Sequence, residues 1–121
     1  MQNWKLELIT PDQIYPIKWS DLEKWTDETV PVEDYVLKGG EAVYLTRVFQ
    51  ELSIDCHYEF ASFIANDGFE QRIPMAELHS AFLLYKQKGE PLKKGYPVRL
   101  YVPGYESDCL NVKSVVRIVL A

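Results

Sequence analysis

Cysteine is scarce in this chain: Cys56 and Cys109 are the only two in 121 residues, and no Cys-x-x-Cys spacing joins them. That excludes a disulfide-framed fold, and both are expected to be free thiols. His57 and His79 are the only histidines, and neither has zinc-site spacing. No run of about 18 apolar residues occurs, which excludes a transmembrane helix. The N-terminus "MQNWKLELITPDQ" lacks the basic flank and apolar core of a secretory signal, so the expected location is cytoplasmic. The chain also lacks GxSxG, GxxxxGK, GxGxxG and HExxH, which removes the nucleophile elbow, the phosphate-binding P-loop, the dinucleotide fingerprint and the zincin helix. Asp55-Cys56-His57 offers no Cys–His pair if extended, because adjacent strand residues point to opposite faces; it reads as a buried Cys56 beside an exposed His57. There is no internal repeat and no low-complexity linker.

What is present fits one ordinary domain spanning 1–121. Apolar residues make up 47% and charged residues 26%, enough for a single core without metal or disulfide. The net charge of −5 argues against general nucleic-acid binding. Its distribution says more. Residues 1–85 carry six Lys/Arg against fifteen Asp/Glu, a balance of −9; residues 86–121 carry seven against three, a balance of +4. An anionic ligand would therefore sit against the C-terminal third, unless the two parts simply neutralise each other across the fold.

The periodicity predicts strands over 4–9 ("WKLELI"), 30–38, 57–65, 69–73, 82–87, 98–102 and 111–120. "TPDQIYP", with two prolines, is expected to break the chain after the first of these. "SDLEKW" predicts a short helix with a Ser20/Glu23 capping box and with Leu22 and Trp25 inward. "LTRVFQEL" predicts a helix over 45–52 capped by Thr46, with Leu45, Val48, Phe49 and Leu52 facing the core. "NDG" at 66–68 predicts a hairpin turn, and Pro74 opens a further short helix. About seven short strands and two or three short helices, without a βαβ rhythm, predict an α+β fold, or a mainly β fold with small helices on one side.

The densest punctuation lies in "GEPLKKGYPVRLYVPG", residues 89–104, with three glycines, three prolines and three cationic side chains. Gly89, Glu90, Pro91, Leu92, Gly95, Pro97, Val98, Arg99, Leu100, Val102, Pro103 and Gly104, followed by Val112, Lys113 and Ser114, fall in order and spacing on the signature of the oxidoreductase molybdopterin-binding domain of the sulfite oxidase family. The chain resembles that family well over about 42–121 and weakly over 1–35. The resemblance implies a compact α+β domain of mixed β-sheets with short helices. It implies an anionic pterin cofactor, molybdopterin, and oxidoreductase chemistry at molybdenum.

Carried over residue by residue, the resemblance assigns cofactor contact to Arg99 and Lys113, close backbone approach to Gly95 and Gly104, and a cation at Lys94, where the family has histidine. Arg99 offers a planar fork of donors to a phosphate and Lys113 a point charge. Read without the resemblance, Arg99 and Lys113 are outward polar positions of edge strands, and the glycines are turn residues. The family's molybdenum-ligating cysteine has no counterpart in residues 30–45, and Cys109, in the late loop, is the alternative thiolate candidate. That loop, "YESDCLN", carries Glu106 and Asp108 where the family has a glycine. Three functions follow as expectations. The chain is a minimal molybdopterin-binding oxidoreductase component working with a protein partner; or a catalytically degenerate, cofactor-free interaction module of the same fold; or a binder of another small anion or nucleotide through Lys94, Arg99 and Lys113.

Overall fold

A computed structural model describes residues 4–32, 39–55, 57–103 and 111–121. Among them are nine strands in one mixed sheet and two short helices, an α+β architecture as expected. The strands are β1 (Leu6–Ile9), β2 (Ile14–Ile17), β3 (Gly40–Tyr44), β4 (Phe60–Ala65), β5 (Glu70–Pro74), β6 (Phe82–Gln87), β7 (Glu90–Pro91), β8 (Val98–Tyr101) and β9 (Val112–Leu120). The helices are α1 (Trp19–Trp25) and α2 (Leu45–Glu51).

The sheet is organised around β9. The C-terminal half of β9 runs parallel to β1, and its N-terminal half runs antiparallel to β8. β4 lies along the other edge, so β9 is hydrogen-bonded on both sides. From β8 the order continues through β6 to β3, and from β1 to β2. The long apolar run of β9 breaks its period twice. Its buried positions are Val112, Val115, Ile118 and Leu120 rather than every second residue. Two bulges account for this. Lys113 and Ser114 together oppose Arg99 of β8, and the register to β4 shifts at Val116. An extra residue in one strand flips the alternation and deepens the local twist.

β6 is buried on both faces, as a central strand must be. Leu83 and Tyr85 point into the main core with Leu8, Leu22, Val48, Phe49, Phe63 and Ile118. Phe82 and Leu84 face a smaller cluster with Val30, Val32, Ala42, Leu92 and Tyr101.

Several sequence expectations are corrected. The strand expected over 30–38 is not seen at Val30, Pro31 and Val32, and residues 33–38 lie outside the described residues. Strand β3 follows instead at Gly40–Tyr44, where two glycines had suggested an ending. β2 forms across Pro16 because it is an edge strand, where a missing N–H costs no ladder bond. The cap of α1 lies two residues earlier than expected: Lys18 is the cap position, and its N–H donates to Asp21 Oδ2 at 3.0 Å, so the reach-back carboxylate is Asp21 rather than Glu23. Ser20 therefore sits inside the helix. Thr46 is not a cap either, because α2 begins directly after β3; the Leu45 N–H donates to the Ala81 carbonyl at 3.0 Å. β4 starts at Phe60, not at His57, and the helix expected after Pro74 is one 3-10 turn, Met75–Glu77. The 66–68 turn stands as expected, with Gly68 at φ +94° and the Asp67 carboxylate accepting from the Phe69 N–H. Among the described residues no helix is long and apolar enough to cross a membrane.

Candidate functional site around the 89–99 loop

The loop starts with a tight reversal. Lys88 and Gly89 both have positive φ, +54° and +78°, which joins β6 to β7 by a two-residue turn of the kind that matches strand twist. Leu92 then plugs into the smaller core, nearly fully buried. Lys93 and Lys94 follow, both exposed. Gly95 turns the chain at φ +85°. Its missing side chain is occupied space: a Cβ there would lie 2.3 Å from both Cγ and Cδ of Arg99. Gly95 is thus required by its backbone conformation and again by the Arg99 stem that crosses it.

Arg99 is half-buried on β8, with its guanidinium 5.2 Å from the centre of the Tyr101 ring. Tyr101 is itself buried and stacked on Phe82 at 5.3 Å. The aromatic floor limits where the guanidinium can go. Across the ladder, the β9 bulge sets Lys113 and Ser114 opposite Arg99, with Val98 paired to Val115 and Leu100 to Val112. Ser114 holds φ +56°, a conformation uncommon outside glycine, and Lys113 is exposed. Val102 and Asn111 close the far end: the Val102 N–H donates to Asn111 Oδ1 at 3.0 Å.

Of the residues singled out from sequence, Gly95 and Arg99 are in contact, Lys94 adjoins Gly95, and Lys113 occupies the bulge opposite Arg99. Gly104, Glu106, Asp108, Cys109 and Cys56 lie outside the described residues. His57 is exposed and stacked on Tyr58, with ring centres 4.3 Å apart. Among the described residues no group of three or more His, Cys, Asp or Glu could hold a metal.

Sequence reasoning missed the aromatic wall on the loop's other side. A pocket of about 670 Å³ lies between Trp4, Trp19, Pro91, Leu92, Lys93 and Tyr96. Trp4 meets Trp19 edge-on at 6.0 Å, and Trp19 meets Tyr85 edge-on at 5.1 Å. Tyr85 is fixed by a hydrogen bond between its hydroxyl and that of Thr26, and burial pushes its phenol pKa up. Desolvation also raises the phenol of Tyr96. The signal available was the two tryptophans near the N-terminus, but nothing local ties them to residues 89–97. A second pocket, of about 780 Å³, is lined in part by Asp27, Glu28 and Glu41. A Thr29 hydroxyl hydrogen bond holds the Asp27 carboxyl below its usual range, so this pocket is anionic and repels phosphate.

The phosphate-bearing end of a molybdopterin matches the Lys94, Gly95, Arg99 and Lys113 set in charge and donor type. A metal thiolate has no candidate among the described residues, since both cysteines fall outside them. A search among curated proteins finds no match. The profile of the oxidoreductase molybdopterin binding domain matches residues 40–121, about two thirds of the chain, from β3 to the end of β9 and including the whole of the loop and the bulge. The chain therefore belongs to the oxidoreductase molybdopterin-binding domain family.

Proposed function

We propose that this chain binds an anionic pterin cofactor of the molybdopterin type, with Arg99 and Lys113 as its phosphate contacts. The observation that carries this reading is the bulge in β9, which puts Lys113 opposite Arg99, while Gly95 leaves the space through which Arg99 runs. Arg99 presents a planar fork to phosphate oxygens, and its half-buried seat on Tyr101 reduces the entropy lost on binding. Lys94 adds charge at the loop tip, and Gly95 serves the site by giving room to the Arg99 stem rather than by admitting the cofactor to its own backbone. Family membership supports the choice of a pterin over other anions. When bound, such a cofactor supplies oxygen-atom transfer at molybdenum; the protein's share is to hold and orient it.

A second reading is favoured by one feature of the sequence: residues 30–45 contain no cysteine. In that reading the chain keeps the fold but acts as an interaction module without metal chemistry. One experiment separates the two. The protein is produced in a host that makes molybdopterin, and molybdenum and oxidised pterin are quantified per chain. The first reading expects pterin close to one per chain. Pterin-free and molybdenum-free protein that takes up no added cofactor would leave only the second.

A further inference from the structure

We infer that the pocket between Trp4, Trp19 and Tyr96 is a binding site for a planar aromatic anion, separate from the pterin-phosphate contacts. Its volume, about 670 Å³, lies in the range of small-molecule sites, and its walls are mostly apolar and aromatic as such sites are. The aromatic wall comes from the N-terminal segment of the chain. Trp4 precedes β1 and Trp19 opens α1, so both lie before the family-matched stretch. Their edge-to-face contacts, continued through the fully buried Tyr85, hold the indole rings at fixed angles. A flat ring entering between Trp19 and Tyr96 is matched by faces and edges already in place.

Charge selects the sign of the ligand. Lys86 lies near the Trp19 ring and Lys93 lines the pocket; of these two, only Lys86 is ion-paired among the described residues. Lys86 Nζ is 5.8 Å from the Trp19 ring, but it is paired with Glu23 at 3.1 Å and Glu41 at 3.7 Å. Lys93 lines the pocket, and no described residue forms an ion pair with it. The Trp4 indole N–H is buried away from the pocket, without an acceptor among the described residues, so the wall meets a ligand with apolar ring surface and the one cation of Lys93. An apolar, aromatic slot with a cation that no described residue neutralises suits an aromatic ring bearing a carboxylate or a similar anion.

The test uses the 121-residue chain without molybdopterin, and titrates it by calorimetry with 2-naphthoate and with the neutral 2-naphthalenemethanol. Saturable one-to-one binding of naphthoate is expected. Lys93→Met should weaken naphthoate by about tenfold, the size of one charge-assisted hydrogen bond, and leave the neutral alcohol unchanged. Lys24→Met, which removes an exposed charge elsewhere, should change neither. Trp19→Leu should abolish both if it folds; Lys93→Met, on an exposed side chain, keeps the test valid if it does not. No saturable binding of naphthoate to the folded parent would overturn the inference, as would equal loss of naphthoate and alcohol in Lys93→Met. Displacement of naphthoate by neopterin at comparable concentration would also overturn it, by making the pocket a pterin seat. None of these outcomes depends on whether Arg99 and Lys113 bind phosphate.

Discussion

The contact between Gly95 and Arg99 can be measured as a coupling energy. At φ +85° an alanine is strained by about 1–2 kcal/mol, whatever surrounds it. The structure adds a second cost, because the new Cβ would stand 2.3 Å from Arg99 Cγ and Cδ. Those atoms belong to the stem of the side chain, so the whole of Arg99 must change rotamer. Leaving its place over Tyr101 forfeits about 0.5–1 kcal/mol of cation–π attraction, and an off-rotamer compromise costs a similar amount. Gly95→Ala is therefore expected to destabilise by roughly 2–4 kcal/mol. Gly68→Ala is the control: it has the same sign of φ, +94°, but nothing within 4 Å of its Cβ position, so only the strain of about 1–2 kcal/mol applies. In an Arg99→Ala background the stem is gone, and Gly95→Ala should fall to the cost of the control. Urea unfolding of the four proteins, followed by tryptophan fluorescence, gives the cycle. A coupling of about 1–2 kcal/mol is expected; additivity within about 0.5 kcal/mol would refute the contact.

Three further outcomes follow. Phe63, on β4, is fully buried in the main core, so Phe63→Ala should cost about 3–5 kcal/mol by urea unfolding, a large share of a domain's stability. Ser114 holds φ +56° in the bulge, and Ser114→Gly should raise stability by about 0.5–1 kcal/mol; a loss would mean that its side chain holds the bulge. Burial raises the folded-state pKa of Tyr85 above its unfolded value, so its contribution to stability is complete below about pH 10 and is lost as pH rises through the raised value. Lys86, raised mainly by its hydrogen bond to Glu23, declines in the same window, so the informative quantity is a difference: the alkaline loss of stability should be shallower in Tyr85→Phe than in the parent.

Much of the C-terminal half was legible because its signals are local. β6, β8, β9 and the 66–68 turn follow from apolar runs and turn residues, and the 89–104 signature carries its own spacing. The N-terminal part was misread where a tertiary arrangement overrides a local rule. Pro16 is tolerated because β2 has no strand neighbour on its outer edge among the described residues, and Gly40 begins a strand because β6 is already there to pair with. Asp21 replaces Glu23 as the reach-back carboxylate because the cap lies two residues earlier, at Lys18 rather than Ser20. At the site, Gly95 and Arg99 were readable as types, but their contact was not. Nor was the bulge, which appears only when β9 is laid beside β8 and β4. The tryptophan pocket was illegible for the same reason, since Trp4 and Trp19 reach residues 89–97 only through the fold.

The central claim is that Arg99 and Lys113 hold the phosphate end of a pterin cofactor. It is tested most directly by titrating the apo chain with isolated molybdopterin and repeating the titration with Arg99→Ala and Lys113→Ala. The account predicts saturable one-to-one binding, weakened about tenfold or more by Arg99→Ala and less by Lys113→Ala, with added salt narrowing both differences. Binding that is indifferent to both substitutions, or no binding by the folded parent, would contradict it.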